Sequence, residues 1–187
     1  MNKKLIIIGG IVLIGITTIL FWQRLQYAYY DFQEYLTLKN KIIWKSNVKL
    51  DWEDFIYDPE KNLIDNISTD VGIAARYHIR NSKIEYKSTT VFVPSKSFVS
   101  DTTNFMTLRI ANVRFDLCEV YRRKLESKID ILRQKDIKDV PLDTLKNQSE
   151  IFFNQFKNEW GKFLDIPEDE LEYELVQLEN RIKLELN

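Results

Sequence analysis

Apolar residues recur at helical spacing along one stretch above all others. Leu108, Ala111, Phe115, Cys118, Leu125, Ile129 and Leu132 follow at steps of three, four or seven, which keeps them on one stripe of a helix running from about Thr103 to Arg133. Ile110, Val113, Leu117 and Val120 add a second apolar face over the first half alone. That half is expected to be enclosed on most sides, while Arg122 to Arg133 is amphipathic. Asp101-Thr102-Thr103-Asn104 supplies N-cap residues, and Pro141, barred from a helix interior, marks the stop after Asp136. A second helix is expected from Leu142 to Phe163, with Leu145, Phe152, Phe156, Trp160 and Phe163 on one stripe. Asp165-Ile166-Pro167-Glu168 opens a third, with acids at its positive end and Leu171, Leu175, Leu178, Ile182 and Leu186 as its apolar face.

Upstream the period changes. Ile42 to Leu50 reads as an opening strand, and Leu50-Asp51-Trp52-Glu53-Asp54-Phe55 follows with Trp52 and Phe55 as core anchors and Asp54 as a capping residue. Val71 to Ile79 and Ser82 to Pro94 are rich in β-branched and aromatic residues and read as antiparallel strands joined near Arg80-Asn81-Ser82. Before all of these, Leu5 to Trp22 is uncharged and would be about 27 Å long as a helix at roughly 1.5 Å per residue. Residues 1–22 are therefore expected to be a membrane anchor, with Trp22, Tyr27, Tyr29 and Tyr30 as an interfacial belt. A cleavable signal peptide is the competing reading, but Phe21 to Tyr27 offers no small-x-small site and no cysteine for acylation. Residues 23–41 continue as a helical stalk that holds the domain away from the membrane or pairs with another copy.

Composition narrows the classes. With 44% hydrophobic and 13% aromatic residues the body can bury a core, and a net charge of −1 gives no general attraction to nucleic acid. Charge is nonetheless uneven: residues 105–135 hold eight bases against four acids, and 168–187 hold seven acids against two bases. These regions are expected to pair within the fold or with a partner. The single cysteine, Cys118, lies on the apolar stripe and reads as an inert packed thiol. His78 is the only histidine, so a helix presenting two zinc-ligating histidines one turn apart cannot be built. On a strand, it reads as a surface or hydrogen-bonded side chain.

Arg114-Phe115-Asp116-Leu117, then Glu119 and Tyr121-Arg122-Arg123-Lys124-Leu125, resembles an uncharacterised bacterial family of predicted zinc-dependent peptidases. The family's helix reads H-E-x-x-H-F-D-[IL]-x-E with an aromatic-x-R-x-L tail. Leu50 to Phe55 is similar to that family's L-x-W-x-D-F segment, and Val91 to Val99 looks like its S-W-V edge with Phe98 for Trp. On this frame the H-E-x-x-H positions are Ile110, Ala111, Asn112, Val113 and Arg114, so both metal histidines and the catalytic glutamate are missing. The resemblance implies an α+β, zincin-like fold over 42–187: a small antiparallel or mixed sheet packed on the long helix, two C-terminal helices, and one transmembrane helix before them. It implies that Ile110, Ala111 and Arg114 occupy former metal-site positions.

No catalytic residue, metal or cofactor is expected. Apolar atoms fill the former metal position, and Arg114 brings a fixed positive charge that would repel a cation. Arg114, Asp116 and Glu119 are the candidate binding residues: the carboxylates to pair with Arg122 and Arg123, Arg114 to bind a carboxylate from Glu119, the acidic third helix or a peptide terminus. A peptide could also add to the Ser82 to Val99 strands by strand pairing. The expected function is a single-pass, membrane-anchored, non-catalytic domain outside the cytoplasm that binds an unknown protein or peptide and no nucleic acid. A hydrolase with a non-standard site around Asp116 and Glu119 is the alternative, as is a purely structural oligomer subunit.

Overall fold

The structure, a computed structural model, describes residues 3–61, 63, 66–80, 83–134 and 142–187; the side chains of 3–13, 19, 20, 23, 78–80, 83 and 142 lie outside that description. The chain divides into two units, one ending at Lys39 and the other comprising Asn40–Asn187.

The first unit is one uninterrupted helix, α1 (Lys3–Leu38), with no break where an anchor would pass into a stalk. It ends where Lys39 N–H bonds to the Tyr35 carbonyl and Asn40 takes a left-handed backbone (φ 61°), a conformation that asparagine tolerates. Among the described residues no helix is long and apolar enough to cross a membrane. The transmembrane helix at 1–22, its aromatic belt and the single-pass membrane localisation are corrected accordingly. From Arg24 to Leu38 the helix carries Arg24, Asp31 and Glu34, so this part of it does not supply the about 20 consecutive apolar residues a span needs.

The second unit is α+β. Strand β1 (Ile42–Ile43) is followed by a 3-10 turn at Trp52–Asp54, then β2 (Ile56–Tyr57), β3 (Ile67–Ser68), β4 (Val71–Arg80), β5 (Lys83–Phe92) and β6 (Phe98–Val99). Helices α2 (Phe105–Arg133), α3 (Leu142–Leu164) and α4 (Glu168–Leu186) complete it. One sheet has the order β1-β5-β4, all antiparallel; the other is β2-β6-β3, with β2 parallel and β3 antiparallel to β6. Val71 opposes Phe92, Ile73 opposes Thr90 and Tyr77 opposes Tyr86, which puts these side chains on the face that packs against the helices.

The opening strand is far shorter than the expected Ile42 to Leu50. Its ladder to β5 ends with Trp44 N–H bonding to the Thr90 carbonyl, and a turn closed by Val48 N–H on the Lys45 carbonyl follows. Leu50 then gives its backbone to a side chain instead of a strand: its N–H donates to Asn112 Oδ1 at 2.8 Å, and Asn112 Nδ2 donates to its carbonyl at 3.1 Å. Asp51 and Asp54 form a capping box around the next turn, and Phe55 enters the core.

Helix α2 lies at the centre. Asn104 caps it by accepting from Met106 N–H at 3.0 Å. Between Ile110 and Tyr121 buried residues appear on every side, whereas beyond Arg122 only Leu125, Ile129 and Leu132 are buried. Phe55, Phe92 and Phe115 stack edge to face in sequence, with centroids 5.1 and 6.3 Å apart, and so tie the 3-10 turn through β5 to α2. The basic helix and the acidic C-terminal stretch meet inside the fold. Arg109 pairs with Glu179 at 2.5 Å, Lys124 with Glu185 at 2.5 Å, and Arg123 Nη1 donates to the Leu186 carbonyl at 2.6 Å. These contacts dock α4 alongside α2, over the apolar stripe of Leu175, Leu178 and Ile182. The helix end expected at Asp136 to Pro141 lies outside the described residues.

Candidate functional site

Because α2 is surrounded, each of its faces meets a different neighbour, and the candidate residues separate. Arg109, Asn112, Val113 and Asp116 point to an open cleft of about 520 Å³. Trp44, Ser46 and Lys49 form one wall, and Glu179, Ile182, Lys183, Leu186 and Asn187 of the α4 end form the other. Trp44, Val113, Ile182 and Leu186 give the cleft an apolar lining, and its side chains carry three positive charges against two negative. Residues of β4 and β5 do not line it.

Asp116 is held at the rim. Trp44 Nε1 donates to its Oδ1 and Lys49 Nζ to its Oδ2, each at 2.7 Å. Arg122 and Arg123, expected as its partners, bind elsewhere. Asn112 is spent on the backbone of Leu50 and on the Leu108 carbonyl, and Arg109 on a two-pronged pair with Glu179. The polar groups of this face are therefore already engaged with the protein.

Glu119 faces away from the cleft and is buried under β5. It accepts from Arg122 Nε and Nη2 at 2.7 and 2.8 Å, from Arg123 Nε at 3.0 Å and from the Thr90 hydroxyl at 2.8 Å. Burial alone would raise its pKa, but the hydrogen bonds and charge of Arg122, with Thr90 and Arg123, outweigh that and hold the carboxyl below its ordinary value. Arg122 bridges onward to Glu126 and Ser88. Glu119 and Asp116 thus serve separate networks and share no ligand position.

Arg114 points to a third face, 5.4 Å from the Trp160 ring of α3. Its Nε and the Trp160 indole N–H are both buried with no hydrogen-bond partner among the described residues. Burial lowers the guanidinium's pKa, opposed by Cys118 and Asp70. Neither Glu119 nor α4 is its partner. Ile110 and Ala111 are buried core residues. Ile110 also lines a separate cavity of about 320 Å³ between the starts of α2 and α4. Among the described residues no group of three or more His, Cys, Asp and Glu side chains could hold a metal ion. The His78 side chain lies outside them.

The outer edge of β5 is only partly open. Since Thr90 turns its carbonyl to β1, Ser88 and Tyr86 turn theirs to the same side, beyond the end of that two-residue strand. Arg133 Nη2 already donates to the Tyr86 carbonyl at 3.0 Å, which removes one acceptor that an added strand would use.

Cys118 is fully buried, and desolvation, with Glu119 nearby, pushes its thiol up to about 12. The folded chain is expected to react with a thiol reagent slower than the unfolded chain by a factor on the order of 10³ or more, the opening penalty of a core site. Equal rates with and without denaturant would place Cys118 outside a closed core.

No protein-family model, curated protein or solved structure matches the chain. The zincin-like fold expected from the resemblance therefore has no support from those comparisons; the fold observed is α+β with two small sheets. Sequence reasoning missed Trp44, Lys49, Arg109 and Glu179 as members of one site. Their spacing carries no local signal, because three distant segments have to meet before the cleft exists.

Proposed function

We propose that residues 42–187 form a non-catalytic domain that binds a peptide segment of a partner protein in the cleft between α2, the 44–49 segment and α4. One observation supports this most: the cleft is open and apolar-lined, while Asp116 and Glu119 each have both carboxylate oxygens bonded to the protein's own donors. A general base needs a carboxylate free to take a proton, and a paired acid and base need a common target. Asp116 and Glu119 provide neither arrangement. An aliphatic side chain docked against Val113, Ile182 and Leu186 would gain from burial, and the excess positive charge of the lining favours a peptide with an acidic neighbour.

The test is an NMR titration with a panel of short peptides, each carrying one or two aliphatic side chains with or without an adjacent acid. Trp44 provides the reporter, since its indole N–H is bonded to Asp116 at the rim. Saturable shifts at Trp44 and Lys183 are expected, with acidic members binding more tightly. Ser46→Trp, which fills the mouth from an exposed position, should weaken binding at least about tenfold, equivalent to ~1.4 kcal/mol. If every peptide leaves these resonances in place, or Ser46→Trp leaves the affinity unchanged, the cleft is not the site.

A further inference from the structure

We propose that α1 is a self-association helix, pairing with α1 of a second copy of this chain through Trp22, Leu25, Tyr29, Phe32 and Leu36. These residues follow at steps of three, four, three and four, the heptad spacing that keeps a seam facing a neighbouring helix over several turns. All five are between 47% and 59% exposed. They lie along one side of the helix and form a continuous exposed apolar stripe.

A helix with the same period is the occupant that fits such a seam, and the flanks indicate which one. Positions beside the seam hold Phe21, Gln26, Ala28, Gln33 and Tyr35, none of them charged. Pairs between different chains are commonly selected by opposite charges at these flanks. Here nothing repels an identical copy. The contact is self-complementary, so two chains close on each other and the assembly stops at a dimer. Side chains of this size, about half exposed, would bury on the order of 1,000 Å² in the pair, the lower bound for specific association.

Sedimentation of the full chain over a range of micromolar concentrations tests the proposal, alongside the double variant Leu25→Glu, Phe32→Glu. Leu184→Glu, which changes an 80% exposed leucine on α4, serves as the control. The wild type and the control should sediment as dimers, and the double variant as a monomer, its dimer dissociation constant raised at least about a hundredfold. A wild type that is monomeric throughout would overturn the proposal. So would a dimer, or a larger assembly, that survives the double substitution or is lost equally in the control.

Discussion

Glu119→Ala is expected to lower stability by about 3–5 kcal/mol, the range for breaking a buried ion pair from one side. Its carboxylate accepts from three side chains that converge under β5: Arg122 through two nitrogens, Arg123 and Thr90. Arg122 is 14% exposed and keeps only Glu126 and Ser88, so a charged group is left poorly paired inside the fold. Arg123 is 38% exposed and contributes little to the loss, because water replaces its partner. Glu119→Gln keeps the shape and one acceptor oxygen and should cost less, on the order of 2 kcal/mol. The pH dependence has a definite sign. Since the folded carboxyl lies below its ordinary value, its stabilisation is complete above the usual glutamate range and is lost as pH falls below that range, through the folded pKa. Urea unfolding between pH 7 and 3 should show a shallower acid limb in Glu119→Gln than in the wild type. An Ala variant within about 1 kcal/mol of the wild type would mean that the network is not holding α2 to the sheet.

Phe92→Ala is expected to cost about 3–5 kcal/mol as well, for an apolar reason. Phe92 is fully buried and sits edge to face between Phe55 and Phe115, so its removal opens a cavity at the junction of the 3-10 turn, β5 and α2. Phe92→Leu refills most of that volume and should lose about 1–2 kcal/mol. Combining Phe92→Ala with Phe115→Ala should cost less than the two losses added, by about 0.5–1.5 kcal/mol, because the ring contact can be lost only once. Strict additivity in denaturant unfolding would show that the rings are not coupled.

The helices were legible because their signal is local. The stripes on α2, α3 and α4 repeat within a few residues, and the crowding of α2 follows from its two apolar faces between Ile110 and Val120. Ile42 to Leu50 misled because an apolar run says nothing about what bonds to its backbone; the side chain of Asn112, 62 positions away, takes the place of a strand at Leu50. Asp116 misled for a geometric reason. Arg123, seven positions on, shares its face but lies about 10 Å along the axis, beyond reach, while Trp44 and Lys49 arrive from another part of the chain. Charge patterning identified the basic and acidic regions as complementary, and the pairs Arg109–Glu179 and Lys124–Glu185 join them within the fold. No pattern in the sequence marked the cleft, which exists only once α4 has docked beside Val113 and Trp44.

The most direct test of the account is to incubate the full chain with the peptide panel and follow, in one sample, the Trp44 indole resonance and the integrity of each peptide. Binding without cleavage is predicted: the resonance shifts saturably, Ser46→Trp weakens the shift, and every peptide is recovered whole. Cleavage that disappears in Glu119→Gln, or peptides that never move the resonance, would contradict the reading of α2 as a packing helix with one binding face.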